Sequence, residues 1–231
     1  MKNKSIVLIC ARKGSKGIKH KNLRKIGSQH LFAHSIKIAK KIKNIFKIYV
    51  SSDSKKILNI SKRMDVNVIK RSKKLSGDKI SEILVWKDAI NFFKKEHKFL
   101  PKILIVLPPT SPLRNLRDVN ASIKKFKTKN YNIILMGYKS NHNPFFNMLA
   151  KNKNGYYNKL FSKKIYRRQD APALYNISTA CYVIDVKYLL ITNDILKSKV
   201  GMVTIPRKRS IDIDDNLDLF FARKIYESKQ K

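Results

Sequence analysis

The sequence predicts an α/β fold in which helices cover a mostly parallel sheet. Short, nearly continuous apolar runs, such as residues 6–11 and 103–107, are typical of strands buried on both faces. Segments with the apolar spacing of a helix, such as residues 28–43, alternate with these runs. Polar loops follow several of the runs, and parallel sheets bind ligands at such positions, beyond the carboxyl ends of their strands.

The same alternation continues along the chain. The other predicted strands are residues 47–50, 66–69, 131–136, 180–184 and 200–205. The other predicted helices are residues 55–64, 80–93, 118–126 and 217–226. Ser52 or Ser54 can cap the second helix, and Asp215 can cap the last one.

Length and hydropathy predict one domain that spans residues 1–231. No apolar run approaches the roughly 20 residues that cross a bilayer. The first apolar run, residues 6–11, leads directly into a loop and has no cleavage site of a signal peptide after it. We therefore expect a cytoplasmic protein without a membrane partner.

A formal net charge of +37 suggests binding to a polyanion. However, the cations are spread along the chain, and 41 of the 52 are lysines. Arginine is the usual residue for bidentate contacts to phosphates and bases. A nucleic-acid-binding domain is therefore kept as the alternative function from a different class, and the charge would equally attract a small anionic substrate.

The loop after the first strand has the composition of a phosphate-binding loop. It contains Gly14 and Gly17, and five cations, at positions 12, 13, 16, 19 and 21. Glycines let backbone N–H groups approach an anion, and the cations neutralise its charge. The spacing matches neither the P-loop nor the dinucleotide fingerprint. A solvated, lysine-rich turn is the alternative interpretation.

Five short motifs together carry a resemblance to a known family. They are residues 11–18 (ARKGSKGI) with 21–23 (KNL), 50–54 (VSSDS), 109–114 (PTSPLR), 168–170 (RQD) and 210–214 (SIDID). In this order, over nearly the whole chain, they resemble the acylneuraminate cytidylyltransferases, also called CMP-sialic acid synthetases. These enzymes join CTP to a nine-carbon 2-keto sugar acid and release pyrophosphate. The resemblance implies a Rossmann-like, three-layer nucleotide-diphospho-sugar transferase fold.

The resemblance also implies a CTP site. Arg12, Ser15 and Lys21 would hold the triphosphate, and the two cations among them would also act in catalysis. Asn22 and Arg71 would help to fix the cytidine. The full set of implied CTP-binding residues is Ala11, Arg12, Gly14, Ser15, Lys21, Asn22, Arg71, Asp78 and Ser81.

Asp212 and Asp214 are the candidate metal ligands and catalytic carboxylates. In an extended segment their side chains point to the same side. Two carboxylates beside a triphosphate suit Mg²⁺, which keeps several waters, and Mn²⁺ is a second candidate. The resemblance implies the same metal site. The alternative is an N-cap cluster for the last helix, a role that fits Asp215 better.

The resemblance places the sugar acid near Thr110, Ser111, Arg168, Gln169 and Tyr182. In the family, the arginine that matches Arg168 comes from the neighbouring subunit and meets the sugar carboxylate. An arginine fork suits a planar carboxylate.

Two departures from the sialic-acid pattern bear on the sugar. Pro108 replaces a common glutamine, and residues 176–180 read NISTA where the sialic-acid enzymes read RPNGA. With these two departures the chain resembles the bacterial branch of the family, whose members activate legionaminic or pseudaminic acid. Another 2-keto sugar acid, such as 3-deoxy-octulosonate, is the nearest alternative substrate.

Residues 139–175 form a polar, aromatic-rich segment with a turn at Asn154 and Gly155. The position matches the place where the family inserts a small dimerisation subdomain. Aromatic side chains among polar ones fit a protein interface. We therefore expect a homodimer. A loose hairpin over the core is the alternative.

Overall fold

A seven-stranded sheet forms the centre of the fold, and two short ribbons lie beside it. The computed structural model describes residues 4–161 and 165–228. In chain order the strands are β1 (Ser5–Cys10), β2 (Lys25–Ile26), β3 (Gln29–His30), β4 (Ile45–Ser52), β5 (Asn67–Lys70), β6 (Ile103–Val106), β7 (Ile133–Lys139), β8 (Leu149–Lys151), β9 (Tyr157–Lys159), β10 (Tyr175–Asp185) and β11 (Val200–Thr204).

The order of strands in the central sheet is β11-β7-β10-β6-β1-β4-β5. Only β10 runs antiparallel to its neighbours within this sheet. In the centre, Leu8 of β1 pairs with Tyr49 on one side and Val106 on the other. The parallel strands β1, β4, β5 and β6 therefore end at one edge. The expected mostly parallel sheet is confirmed.

Within residues 4–161 and 165–228, six helices cover the two faces and one end of the sheet. They are α1 (Leu31–Lys40), α2 (Lys55–Arg63), α3 (Glu82–His97), α4 (Leu116–Thr128), α5 (Val186–Ile191) and α6 (Asn216–Glu227). Alternate side chains of β1 face opposite sides, so Val7 and Ile9 pack with α1, α2 and α4. Ile6 and Leu8 pack with α3 and α5. The expected three-layer α/β architecture is therefore confirmed.

Most predicted elements are present with shifted ends. The first helix begins at Leu31, later than predicted, because the preceding residues pair β2 with β3 in a small ribbon. Ser54 caps α2 by accepting a hydrogen bond from the Ile57 N–H, so the second of the two capping candidates is confirmed. The sequence prediction missed α5, whose six residues are too short to show a helical period.

A third apolar cluster joins the loop after β1 to the end of the chain. Ile18 from that loop and Ile213 are both buried in it, together with Leu219 and Ala222 of α6. Asp215 caps α6, as predicted, and exchanges hydrogen bonds with Asp218 in a capping box. This cluster holds residues 210–215 against the phosphate-loop candidate.

Residues 139–161 and 165–175 emerge from the sheet between β7 and β10. They contain the ribbon of β8 and β9, with Gly155 at a φ of 88° in the predicted turn. The aromatic side chains here are exposed in the single chain, as Tyr156 and Tyr166 illustrate at 71% and 85%. The dimerisation role of residues 139–175 stays a prediction. No helix within the described residues is long and apolar enough to cross a membrane.

A partly buried ion pair ties residues 207–210 to the start of α4. The Arg209 guanidinium donates two hydrogen bonds of 2.8 Å to the Asp118 carboxylate. Asp118 is buried and also completes the capping box of α4 with Asn115. The pair fixes the chain just before Asp212 and Asp214.

Replacing Arg209 with Met should destabilise the protein. The variant leaves the Asp118 carboxylate buried without its cation, and such losses cost about 2 kcal/mol when one partner is partly exposed. Urea unfolding measures the change. As a control, Lys224→Met breaks an exposed pair with Glu227 and should change the unfolding free energy by less than ~0.5 kcal/mol. Equal effects of the two substitutions would contradict the assignment.

Candidate active site

A cavity of about 370 Å³ opens at the carboxyl edge of the central strands. Its volume lies within the range of small-molecule sites. The wall is formed by the loop after β1, the loop before α3, the turn after β6 and residues 212–214. Its polar lining residues are Cys10, Arg12, Ser15, Lys21, Asn22, Arg71, Asp78, Glu82, Thr110, Thr179, Asp212 and Asp214.

The loop after β1 is fixed by hydrogen bonds to its own backbone and to β4. Asn22 is buried, and its side-chain amide donates to the Arg12 carbonyl oxygen at 2.8 Å. The hydroxyl of Ser52 donates to the carbonyl oxygen of Ala11. Asp53 accepts a hydrogen bond of 2.7 Å from the Lys13 N–H. These contacts give residues 50–54 a supporting role, in addition to the Ser54 cap.

Arg71 forms the floor beside the end of β4. Its side chain is buried, with Nη2 donating to the Ser51 carbonyl at 3.0 Å and Nε to the Ser51 hydroxyl at 3.2 Å. These bonds fix a positive charge under the cavity.

Asp78 bridges the two loops that face each other across the mouth. Arg12 donates a short hydrogen bond to it, and the Lys16 ammonium lies 3.7 Å from its other oxygen. The hydrogen bond from Arg12 holds the pKa of Asp78 below its usual value. The cations that are candidates for phosphate binding are thus paired with a carboxylate of the protein.

Residues 212–214 form the opposite wall and are held from several sides. The Ile213 N–H donates to the Thr110 carbonyl at 2.8 Å. The Lys21 ammonium donates to the Ile213 carbonyl at 2.7 Å and to the Asp214 carboxylate at 2.9 Å. This second contact pairs a candidate phosphate ligand with a candidate metal ligand.

The carboxylates of this wall fit a divalent cation. Oδ1 of Asp212 is buried and has no hydrogen-bond partner in the described part of the chain. Such an orphaned oxygen is costly unless a ligand satisfies it. No group of three or more acidic, histidine or cysteine side chains with metal-binding geometry is found in residues 4–161 and 165–228. Two carboxylates suffice for Mg²⁺, which takes its remaining ligands from water and phosphate.

Ten of the predicted site residues line this one cavity. They are Arg12, Gly14, Ser15, Lys21, Asn22, Arg71, Asp78, Thr110, Asp212 and Asp214. The structure thus brings together residues that are up to 202 positions apart in the sequence. Their roles in binding and catalysis stay predictions.

The other predicted residues lie outside the cavity wall. Ala11 is buried behind it, and the Ser81 hydroxyl caps α3. Ser111 is buried and hydrogen-bonds to Thr179, which does line the cavity. The Tyr182 ring is buried against Trp86.

Gln169 of the RQD motif lies apart from the cavity. Gln169 lines a different cavity, within the segment of residues 139–175. Arg168 belongs to the short 3-10 helix Arg168–Asp170, but its side chain lies outside the described part of the structure.

Sequence reasoning missed Glu82, which is the first residue of α3 and lines the cavity. The residue is exposed in the single chain, but desolvation of its carboxyl by the surrounding cavity wall raises the pKa of this group, and the nearby Asp212 raises it further. A signal was present, because an acidic residue directly after a capping serine begins a helix at the predicted ligand edge.

The fold and the cavity define a nucleotidyltransferase. A basic, glycine-containing loop after β1 faces two carboxylates that suit a divalent cation, and a buried arginine lies beneath them. Nucleotidyl transfer depends mainly on positioning and on the neutralisation of phosphate charge, and this arrangement supplies both.

The chain belongs to the cytidylyltransferase family, since residues 6–195 match the family described as "Cytidylyltransferase". It is 29% identical over 222 residues to "Post-translational flagellin modification protein B" of Campylobacter coli, covering 96% of this chain and 94% of that protein. It is 30% identical over 214 residues to "CMP-N,N'-diacetyllegionaminic acid synthase" of Campylobacter jejuni, covering 91% of this chain and 89% of that protein.

A solved structure shows the same fold. The CMP:2-keto-3-deoxy-manno-octonic acid synthetase complexed with CTP superposes with a TM-score of 0.69 at 13% identity, covering 98% of this chain and 99% of that chain. The family and fold implied by the five motifs are confirmed.

Gly17 is required by the close approach of two distant segments. A Cβ atom at this position would collide with the Asp214 carbonyl oxygen, which is a backbone atom. Gly17→Ala should therefore displace residues 212–214, lower the unfolding free energy by about 1–3 kcal/mol and weaken CTP binding. Chemical denaturation and calorimetry measure the two effects.

Gly14→Ala is the matched stability control. A Cβ atom there meets nothing within 4 Å, so the unfolding free energy should stay within ~0.5 kcal/mol of the original. Equal stability of the two variants would mean that the contact between residues 17 and 214 is not tight.

Proposed function

We propose that this chain activates a nonulosonic sugar acid by the reaction CTP + sugar acid → CMP-sugar + pyrophosphate. The observation that supports it most is the single cavity in which the loop after β1 faces Asp212 and Asp214. Family membership supports the cytidylyl donor. The alignment with the protein named as a legionaminic acid synthase covers 91% of this chain and 89% of that protein. The name of that relative supports the sugar class.

In this proposal the cations of the cavity exchange protein carboxylates for phosphate oxygens. Arg12 and Lys21 are paired with Asp78 and Asp214 in the described structure. Together with Ser15 they hold the triphosphate of CTP. Asn22 and Arg71, both fixed by hydrogen bonds, position the cytidine.

Asp212 and Asp214 hold Mg²⁺, with Mn²⁺ as the second candidate. When bound, the cation neutralises charge on the phosphates and stabilises the leaving pyrophosphate. The unpartnered Oδ1 of Asp212 supports this role. The sugar's anomeric hydroxyl attacks the α-phosphorus, so that the bond to pyrophosphate breaks as the new P–O bond forms.

The sugar is best matched by legionaminic or pseudaminic acid. Pro108 lines the cavity where sialic-acid enzymes commonly have glutamine, and the strand from Asn176 departs from their sequence. Thr110 lies on the cavity wall, and Ser111 supports Thr179 there. 3-Deoxy-octulosonate remains the alternative sugar, and nucleic-acid binding remains the alternative from another class.

The active unit in this proposal is a homodimer in the cytoplasm. The exposed aromatic side chains of residues 139–161 and 165–175 support an interface there, because such surfaces are rarely left open to water. In that dimer, Arg168 of one copy meets the sugar carboxylate in the other.

The decisive experiment is pyrophosphate release from CTP and Mg²⁺ across a panel of sugar acids. The panel contains legionaminate, pseudaminate, N-acetylneuraminate and 3-deoxy-octulosonate, and each sugar is repeated with UTP. We expect release with legionaminate or pseudaminate, and with CTP in preference to UTP. Release only with 3-deoxy-octulosonate would replace the proposed sugar class. Salt-sensitive RNA binding without CTP binding would favour the other class of function.

Asp212→Ala tests the carboxylate wall. We expect a loss of turnover of more than roughly 100-fold, since outer-shell residues of metal sites already cost 10–100-fold. Circular dichroism should show an unchanged fold, and Mn²⁺ binding by electron paramagnetic resonance should weaken. Asp194→Ala, in a distant turn, is the control. A folded Asp212→Ala protein with full turnover would remove the metal assignment.

A further inference from the structure

The transfer reaction releases a proton, and general base catalysis passes such a proton to an acceptor positioned beside the attacking oxygen. Among the described residues, four carboxylates line the cavity, and no histidine does. Three of the four have other partners or roles. Asp212 and Asp214 are the proposed cation ligands, and Asp78 lies at the mouth of the cavity, between the loop after β1 and the loop before α3.

Glu82 is the carboxylate that is left. Within residues 4–161 and 165–228 its side chain takes part in no hydrogen bond and no ion pair, although it faces the cavity. It begins α3, whose position is fixed by the Ser81 cap and by the burial of Trp86 one turn later. A rigid helix end thus presents an uncommitted carboxylate to the site.

The charged and titratable groups around Glu82 come from every neighbouring element. Arg12 and Lys21 belong to the loop after β1, and Arg71 follows β5, so three cations act on Glu82. Asp212 acts on it from the opposite wall. The charge of Glu82 in turn contributes to the raised pKa values of Cys10 in β1 and Tyr182 in β10.

These neighbours do not compete for the proton. Burial raises the pKa of the Cys10 thiol to about 12, so this thiol is protonated at neutral pH. Burial also raises the pKa of Tyr182. Glu82 is exposed in the single chain, yet desolvation at the cavity wall raises its pKa above that of an ordinary carboxylate, which is the direction that improves a proton acceptor.

The placement of Glu82 also separates it from the cation site. Glu82, Asp212 and Asp214 do not form a three-ligand metal group in the described structure. Glu82, Asp212 and Thr179 nevertheless line the same cavity, so Glu82 shares it with the carboxylate wall and with a residue of the proposed sugar site.

We propose that Glu82 is the proton acceptor of the cytidylyl transfer, an assignment that rests on the proposed function. As the sugar oxygen bonds to the α-phosphorus, its O–H bond breaks and the proton passes to the Glu82 carboxylate. The electron pair of the cleaved P–O bond leaves with pyrophosphate. The proton then passes to solvent when the products depart.

The test compares Glu82→Gln with the original protein. Gln keeps the shape and a hydrogen-bonding oxygen but does not accept the proton. With the best sugar of the panel, kcat should fall roughly 100-fold, within the usual contribution of general base catalysis. The Kd for CTP, measured by calorimetry, should stay unchanged. The acidic limb of the kcat–pH profile should be lost, while Glu82→Asp retains it at a lower rate.

Glu96→Gln is the matched control, because it makes the same change in the last turn of α3, outside the cavity. It should keep kcat and the acidic limb. A Glu82→Gln protein that binds CTP and retains kcat and the acidic limb would overturn the assignment. A loss of CTP affinity that accounts for the whole loss of activity in Glu82→Gln would also overturn the assignment.

The original protein is assayed in parallel, so the two proposals fail in different ways. If the original protein turns over a sugar of the panel and Glu82→Gln does too, only the assignment of Glu82 is wrong. If the original protein releases no pyrophosphate with any sugar, the proposed function fails, and the role of Glu82 fails with it.

Discussion

The contact between Gly17 and the backbone of Asp214 is the constraint on which the site depends. It joins two segments almost 200 residues apart, and there is no room between them for a Cβ atom. Ile18 and Ile213, next to these residues, are buried in one apolar cluster, which supplies the stability of the contact. Lys21 adds one hydrogen bond to the Ile213 carbonyl and one to the Asp214 carboxylate. The phosphate-loop candidate and the carboxylate wall are therefore one structural unit.

The central sheet and the ion pair of Arg209 with Asp118 hold this unit in place. The parallel strands β1, β4 and β6 end together and deliver their loops to one edge, as parallel sheets do. The bidentate pair of Arg209 and Asp118 anchors residues 207–210 on the start of α4. A stable core thus fixes groups that would otherwise repel each other or remain solvated, and such preorganisation favours the transfer of a nucleotidyl group.

Part of the fold and of the site was predictable from the sequence, because it depends on residues that are close together in the chain. The apolar run of β1 and the glycines and cations after it define a strand and a phosphate loop, and Asp215 is a recognisable helix cap. The packing of Ile18 on Ile213, the ion pair of Arg209 and the position of Glu82 depend on long-range contacts, which periodicity does not encode. The side chains of Ser81, Ser111 and Tyr182 illustrate the same limit. Their neighbourhood was predictable, whereas capping and burial direct each of them away from the cavity.

The lining of the cavity runs against the composition of the chain. Only 15 of 231 residues are acidic, yet four of them line this one cavity, against three of the 52 cations. Other carboxylates cap helices, as Asp185 and Asp215 do, or pair inside the protein, as Asp118 does. More than a quarter of the chain's carboxylates thus meet in one cavity, although basic residues outnumber acidic ones more than three to one along the sequence. The charge inside the cavity is therefore close to balanced, unlike the strongly positive charge of the chain as a whole, and an incoming cation meets more carboxylates than basic side chains there.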